Sequence, residues 1–310
     1  MVNYIHMLNL KGIFYLKYYL LLLLLISQIC RADCEQAADS CAKIGEWDFS
    51  VSVGAGVTTN PLNGGDNIPL IIVPQISYYG EKVFFETSTL GYTFFETDNL
   101  IVSAVTQLNA ENAYFSKWHP KNIILDSSHS SLSPGNETDS TDPDNNGDKE
   151  NEILEVNIDD VPSKDWALDA GVQINWFVND SAEVKVQLLH NINNVYNGFN
   201  GQFEFSQMLG SSYLPGSKVF LSLGANVNSK NLVDYFYGVP EKIGLFDQPI
   251  YKGELSINPY FRFEVTHQFA EHWKAKLNIK RVFLGEGTTD SPLVKEHNIS
   301  TIFAGVTYDF

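Results

Sequence analysis

The feature that most constrains the fold is an alternation of apolar and polar side chains, clearest in the last thirteen residues, Asn298 to Phe310. Because successive side chains of an extended strand point to opposite faces, the pattern predicts a β-strand with one apolar face. That face carries Ile302, Ala304, Val306, Tyr308 and Phe310. The other face carries Thr301, Gly305, Thr307 and Asp309, with Phe303 as its one large apolar exception.

The same alternation recurs along most of the chain. Trp47 to Thr58 alternates without an error, and comparable segments lie at 166–178, 182–188, 218–228, 254–268 and 273–280. With the shorter segments between them they predict about twelve strands, or ten as the alternative count. A tilted strand crosses a bilayer with about 9–11 residues, which most of these segments supply. Four of the five tryptophans fall near strand ends, as an interfacial aromatic girdle requires: Trp47, Trp166, Trp176 and Trp273.

These features predict an all-β fold, a transmembrane antiparallel up-and-down β-barrel over residues 47–310. A soluble β-sandwich would need neither the tryptophans at strand ends nor charges on the minor face of nearly every strand.

The second strand, Pro69 to Tyr79, contains Pro74, which removes a ladder donor. Its less polar face comprises Leu70, Ile72, Pro74, Ile76 and Tyr78. A phase reversal between Phe85 and Leu90 predicts two short strands, 82–88 and 89–97.

The N-terminal residues predict export. Lys11 and Lys17 precede an apolar run, Tyr18 to Ile26, that is shorter than the roughly 20 residues a transmembrane helix needs. We therefore expect residues 1–32 to be a signal peptide cleaved near Ala32, with a retained membrane anchor as the alternative. Residues 33–46 would form a short periplasmic segment. In that oxidising compartment we expect Cys34 and Cys41 to form a disulfide, because two thiolates without a nearby histidine cannot complete a zinc site.

Residues 110–165 interrupt the strand pattern. The net charge of the chain is −17, and Asp126 to Asp165 holds twelve acidic residues against Lys149 and Lys164. The acidic balance argues against a nucleic-acid partner. Because residues 127–152 have almost nothing to bury, we predict a disordered extracellular loop at 110–165 that contributes no apolar surface to the barrel.

The loop also contains a partial calcium-binding motif. Asp142, Asp144, Asn146, Asp148 and Glu150 match the first nine positions of an EF-hand loop. The bidentate glutamate expected at the twelfth position is replaced by Ile153. We therefore prefer a solvated loop without a metal, and weak calcium binding is the alternative.

The sequence favours binding over catalysis. The histidines are scattered near strand ends and loops, and neither a Gly-x-Ser-x-Gly nor a His-Glu-x-x-His motif occurs. Charges predicted to face the lumen could line a conducting path or pair across strands and plug it: Glu183, Lys185, Lys218, Arg262, Glu264, Lys274, Lys276 and Lys280. Twelve strands lie between filled barrels and open channels, and we expect a filled or narrow lumen.

Three stretches resemble the MipA/OmpV family (MltA-interacting protein) of outer-membrane proteins. They are a tyrosine-rich segment at 234–239, an Asp-Ser-Pro-Leu-Val segment at 290–294, and the ending at 304–310. The family motif positions are Asp234, Tyr235, Tyr237, Gly238, Val239, Ser291 and Pro292. The five apolar-face residues of the last strand, ending in Phe310, resemble the signal that the barrel-assembly machinery reads in closing strands.

The resemblance implies a bacterial outer-membrane barrel, surrounded by lipid, with no enzyme activity and no cofactor. It further implies a scaffold that links peptidoglycan-remodelling enzymes, a lytic transglycosylase and a penicillin-binding protein, to the outer membrane. A porin-like channel or a surface adhesin or antigen is the alternative that the resemblance also allows.

Overall fold

The computed structural model describes residues 44–116, 156–209, 216–240 and 251–310. The predicted signal peptide, the Cys34–Cys41 pair and the calcium-like motif from Asp142 to Glu150 lie outside the described residues and stay predictions. Among the helices in the described ranges, none is long and apolar enough to cross a bilayer.

Twelve strands form one closed antiparallel barrel, in which each strand pairs with the next and the last pairs with the first. The predicted fold and the count of twelve are therefore confirmed. The strands are β1 (Trp47–Thr58), β2 (Ile68–Tyr79), β3 (Val83–Glu86), β4 (Thr89–Thr97), β5 (Leu100–Leu108), β6 (Leu168–Asn179), β7 (Ala182–Asn191), β8 (Phe199–Leu209), β9 (Ser217–Asn228), β10 (Ser256–Ala270), β11 (Trp273–Phe283) and β12 (Asn298–Asp309). Within the described residues, two α-helices lie between strands, α1 (Lys230–Tyr237) and α2 (Glu286–Thr289).

The barrel has the inverse polarity of a soluble protein. Large apolar side chains on the strands are exposed, for example Leu188 at 59% and Leu223 at 53%. Polar side chains such as Ser52, Ser103 and Ser222 are buried inside. An outward apolar band around a polar lumen is the arrangement that a lipid bilayer stabilises, so the outer surface faces lipid.

Phe303, the exception in the last strand, fills a space left by two glycines. In the β1–β12 seam Gly54 lies opposite Gly305. The ring of Phe303 packs over both glycines and against Val73, and it is fully buried. A large apolar side chain on the luminal face is therefore accommodated because neither glycine carries a side chain there.

Replacing Gly305 with Ala should lower the free energy of unfolding by about 1–3 kcal/mol, because the added methyl group would overlap the Phe303 ring and the Gly54 backbone. Urea unfolding in lipid vesicles, followed by tryptophan fluorescence, measures the change. Gly201→Ala is the matched control, because a Cβ there would meet only ordinary contacts, the nearest at 3.4 Å. Equal losses in the two variants would contradict this packing.

The predicted face of β2 is wrong at Leu70. Leu70 is buried, whereas Ile71 and Ile72 are both exposed. The β1–β2 ladder shifts register between Val53 and Gly56, and this bulge reverses which side chains point inward. Leu70 therefore faces the lumen and not the lipid.

The predicted loop at 110–165 is ordered at both described ends. Short 3₁₀ helices form at Ala110–Tyr114 and Ile158–Asp160. Val156 and Val161 are buried in an apolar cluster with residues of other connections. The expectation that Asp126 to Asp165 contributes no apolar surface is therefore wrong for this part of the segment. The acidic middle lies outside the described residues.

Candidate functional site

The connections sort the barrel into two different ends. At one end the strands are joined by short turns at 80–82, 98–99, 180–181 and 271–272. At the other end lie the long connections at 59–67, 109–167, 192–198, 229–255 and 284–297. Outer-membrane barrels have short periplasmic turns and long external loops, so we expect the long-connection end to face outward.

An apolar cluster, which we call the cap, lies at the long-connection end. It contains buried residues from all five long connections: Leu62, Val156, Val161, Ala167, Tyr196, Leu232, Val233, Phe236, Tyr237, Val239 and Leu293. Helix α1 supplies four of them, and it begins where the Ser229 side chain accepts a hydrogen bond from the Leu232 N–H at 3.5 Å. The cap is thus a small hydrophobic core formed by the connections and not by the barrel strands.

The tyrosine-rich motif at 234–239 and the proline-containing motif at 290–294 meet within the cap. The Ser291 hydroxyl donates to the Tyr237 carbonyl at 2.6 Å. The Pro292 carbonyl accepts from Asn63 Nδ2 at 2.9 Å and from the Val156 N–H at 3.3 Å. These contacts join four connections that are far apart in the sequence. The motif residues therefore hold the cap together.

The remaining motif positions support α1 and the segment after it. Asp234 Oδ1 accepts from the Gly253 N–H at 2.8 Å, and the Val239 N–H donates to the Tyr251 carbonyl at 2.9 Å. The Tyr235 hydroxyl accepts from the Asp165 N–H at 2.8 Å. Burial lowers the pKa of Lys164, whose Nζ donates to the Tyr235 carbonyl at 2.7 Å.

Two carboxylates, the half-buried Glu111 and the buried Asp169, anchor the cap to the barrel, and neither was predicted from the sequence. Glu111 accepts from the Tyr237 hydroxyl and from Asn228 Nδ2, the latter at 3.2 Å. Burial, with the nearby Glu111 carboxylate, raises the pKa of Tyr237, so this phenol stays protonated and donates. Asp169 accepts from Asn109 Nδ2 at 2.6 Å and from Asn200 Nδ2 at 2.7 Å.

Tyr196, which belongs to the cap, reaches the same group of polar side chains. Its hydroxyl accepts from Asn109 and Asn200 at 3.2 and 3.0 Å. Burial, reinforced by the Asp169 carboxylate, raises the pKa of this phenol. No motif marks Glu111 or Asp169 in the sequence, because their partners come from strands and connections distant in the chain.

Deeper in the lumen, four charges form what we call the ion-paired layer: Glu204, Arg262, Glu264 and Lys276. The Arg262 guanidinium contacts the Glu204 carboxylate, and Lys276 Nζ lies 3.3 Å from Glu264 Oε1. These four side chains are only 3–4% exposed. Of the charges expected to line or plug the lumen, three are thus paired across strands in this layer, and a fourth, Lys274, pairs with Asp309 on the neighbouring strand at 2.5 Å. Glu204 was not among the residues singled out from the sequence.

Neutral groups complete this layer. The Tyr260 hydroxyl donates to Glu204 Oε2 at 2.7 Å, and Asn278 Nδ2 donates to Glu264 Oε2 at 3.1 Å. Gly224 lies between Glu204 and Tyr260 in the strand register, and a Cβ on it would overlap the Tyr260 ring. The absence of a side chain at Gly224 therefore lets Tyr260 reach the carboxylate.

A cavity of about 190 Å³ lies between the cap and the ion-paired layer. Amide side chains dominate its wall, including Asn109, Gln187, Asn200, Gln202, Asn226 and Asn258. Lys185 and Lys280 also line it, and Glu111 belongs to its roof. The described lining residues offer both hydrogen-bond donors and acceptors. They carry two positive charges, on Lys185 and Lys280, against one negative charge on Glu111. In the described part of the chain, no group of His, Cys, Asp and Glu residues is arranged to hold a metal ion.

A family model described as MltA-interacting protein MipA matches residues 51–310, which is most of the chain. The chain belongs to this family. The MltA-interacting proteins of Escherichia coli (strain K12) and Shigella flexneri are each 30% identical to it over 99 residues, 31% of this chain and 39% of each relative. The chain thus spans about two-fifths of the length of these curated relatives.

Solved outer-membrane proteins also resemble the barrel. An outer-membrane channel from Pseudomonas putida F1 matches over 87% of this chain and 97% of its own, with a TM-score of 0.41 and 8% identity. A bacterial polysaccharide outer membrane secretin matches over 87% and 100%, with a TM-score of 0.38 and 10% identity. Family membership and the lipid-facing surface confirm the expected location of this MipA-family protein in the bacterial outer membrane.

The predicted closing strand joins β11 and β1 and thereby completes the barrel. Its Ile302, Ala304, Val306 and Phe310 side chains are exposed on the outer surface, with Phe310 at 76%. The Tyr308 ring packs against Trp273 and Phe310, with centroids 5.0 and 4.9 Å apart. The strand is thus placed as expected, and its role as an assembly signal stays a prediction.

One serine and one histidine come close enough to be tested as a catalytic pair. Ser217 Oγ lies 2.9 Å from His267 Nδ1, and the two residues are register partners on β9 and β10. Among the described residues, no carboxylate is hydrogen-bonded to this imidazole. The pair therefore lacks the third group that orients the base in a catalytic triad. The fold and the MipA family both favour a protein without catalytic activity.

Proposed function

We propose that this MipA-family protein is a non-enzymatic scaffold that binds peptidoglycan-remodelling enzymes at its short-turn end. The observation that carries the proposal is the doubly obstructed lumen, because the cap and the ion-paired layer occupy successive levels of the barrel. A protein built this way works through its surfaces. The names of its E. coli and S. flexneri relatives as MltA-interacting proteins support a periplasmic enzyme as partner.

The short-turn end offers a binding surface with a net negative charge, although the exposed Lys82 offsets Glu81 in the first turn. Each of its four described turns carries one exposed carboxylate: Glu81, Asp98, Asp180 and Glu271. We call these residues the acidic rim. Complementary charge accelerates and orients association, so the acidic rim suits a partner with a basic face. In this proposal a lytic transglycosylase and a penicillin-binding protein bind there.

Reversing three rim charges (Asp98→Lys, Asp180→Lys and Glu271→Lys) should reduce capture of lytic transglycosylase and penicillin-binding protein from cross-linked cell envelopes several-fold. The loss should shrink as salt concentration rises, because rim charges act through a screened field. The matched control reverses three exposed carboxylates at the outer end, Asp159, Glu254 and Glu296. Capture quantified by mass spectrometry should be unchanged in this control.

Planar-bilayer recording tests the alternative, that the barrel conducts ions. The scaffold proposal expects no steady channel from the wild-type protein. A steady channel whose anion preference falls when Lys274, Lys276 and Lys280 are neutralised would replace it with a porin function, since luminal charges set selectivity in a narrow passage. Full capture by the rim variant would likewise overturn the proposed binding surface.

A further inference from the structure

The barrel wall has a notch beside β2. Strand β3 is only four residues long, and its pairing with β2 covers Ser77 to Tyr79. The last contact is the hydrogen bond from the Thr87 N–H to the Ile76 carbonyl at 2.9 Å. Within the described residues, no strand pairs with Ile68–Pro74 on that side. At about 3.3 Å per residue, roughly 23 Å of β2 borders this notch.

Pro74 fits the notch. Because Ile76 directs its carbonyl toward β3, Pro74, two residues earlier, directs its backbone to the same side. No described strand lies there to accept a hydrogen bond, so the missing N–H of Pro74 breaks no hydrogen bond of the sheet. A proline is therefore compatible with this position of β2. An open sheet edge is tolerated at membrane depth only where it is buried in protein or lines a water-filled space. Because no described strand pairs with this edge, we expect it to border the hydrated lumen, while Ile71, Ile72 and Leu90 beside it are exposed apolar residues.

The notch leads into the luminal cavity. Residues from both of its borders line the cavity: Ile68, Leu70, Ser88, Thr89, Gln107 and Leu108. The cap lies outward of the cavity, and the ion-paired layer lies on its periplasmic side. These two obstructions limit access to the cavity along the barrel axis. Among the described residues, the remaining access is lateral, through the notch into the external half of the bilayer.

The chemistry of the cavity and notch selects the ligand. Lys185 and Lys280 bring positive charge to the cavity wall, and Lys280 Nζ lies 4.8 Å from the Tyr260 ring centroid. The surrounding amides donate hydrogen bonds that suit an oxyanion. Along the notch, Ile68, Leu70 and Leu108 offer apolar contact. A charged head inside and an apolar chain outside would satisfy both regions.

We propose that the cavity binds the head group of a single-chain anionic amphiphile that enters sideways through the notch, with its acyl chain left among the lipids. The cavity volume of about 190 Å³ fits a phosphate or carboxylate head with a few further atoms. Lys185 and Lys280 neutralise the head, and the amides orient it. This site is independent of the scaffold function and uses the opposite half of the barrel.

The test uses the full-length protein in phosphatidylcholine nanodiscs, with dodecyl phosphate as the probe and native mass spectrometry as the readout. One dodecyl phosphate should bind per protein. Lys185→Gln with Lys280→Gln should weaken binding at least tenfold, and Ser88→Trp, at an exposed position bordering the notch, should weaken it comparably. Lys274→Gln is the matched control, because this lysine pairs with Asp309 at 2.5 Å beyond the ion-paired layer.

Two further probes separate the sources of the anion. Inorganic phosphate and neutral dodecanol should each bind at least tenfold more weakly than dodecyl phosphate. Equal binding of inorganic phosphate, or full binding by Ser88→Trp, would overturn the lateral route in favour of an aqueous anion site. Unchanged binding in the lysine double variant would overturn the head-group site. Heat-modifiable migration on gels confirms that each variant is folded. If the double variant fails to assemble, Lys185→Gln alone replaces it and should weaken binding severalfold.

Discussion

Replacing Arg262 with Met should lower the free energy of unfolding by about 3–5 kcal/mol, because the Glu204 carboxylate would remain buried without its cation. The two side chains are 4% and 3% exposed, so water cannot solvate the carboxylate that is left. Tyr260 still donates one hydrogen bond to it, but a neutral hydroxyl does not offset a buried charge. Urea unfolding in lipid vesicles, followed by tryptophan fluorescence, measures the loss.

Two variants decide whether this loss comes from the ion pair. Combining Arg262→Met with Glu204→Gln should recover most of the stability, because no unpaired charge then remains. Lys274→Met breaks the more exposed pair with Asp309 and should cost less than about 1 kcal/mol, since solvent screens that interaction. If Arg262→Met costs no more than Lys274→Met, the ion-paired layer does not stabilise the lumen.

The strands could be predicted from the sequence because each strand meets two different environments. Lipid on one side and a polar lumen on the other impose a period of two, which is visible in β1, β6 and β12. The reversal before Leu90 also revealed the short hairpin of β3 and β4. The face of Leu70 could not be predicted, because it depends on a register shift in the neighbouring strand.

The cap and the ion-paired layer depend on contacts between residues far apart in the chain. Leu62, Val156 and Leu293 each lie in a connection with no local periodicity, and they become a core only after barrel closure brings the connections together. The acidic composition of residues 126–165 concealed Val156 and Val161 in the same way. Glu204 meets Arg262 across an intervening strand, so their pairing requires the register of β8, β9 and β10.

The family motifs are a case in which the sequence identified the residues but not the contacts between them. Tyr237 and Ser291 were recognised from the sequence as motif positions, but nothing in either segment indicated that they contact each other. The structure shows that Ser291 donates to the carbonyl of Tyr237, while the Tyr237 hydroxyl donates to Glu111. A motif spread over two connections can thus specify the closure of the barrel end without forming a catalytic or ligand-binding site.

The second large effect is expected in the cap, where Phe236→Ala should destabilise the local structure by about 3–5 kcal/mol. Phe236 is fully buried, and its ring lies 5.8 Å from Phe115 and 6.2 Å from Tyr196, between centroids. Removing it leaves a void among side chains from several connections. Because the barrel wall is held by its own ladders, we expect the cap to open while the strands stay paired.

Hydrogen exchange separates local opening from global unfolding. In Phe236→Ala, amides of α1 and of residues 156–161 should exchange at least a hundredfold faster, whereas amides of β10 and β11 should keep their protection. Phe269→Ala is the matched control, because this phenylalanine lies on the barrel surface and is 54% exposed. Protection lost equally in α1 and in the strands would mean that the cap and the barrel fold as one cooperative unit. Selective loss in α1 would instead show that the external end can open without disturbing the ion-paired layer or the acidic rim beneath it.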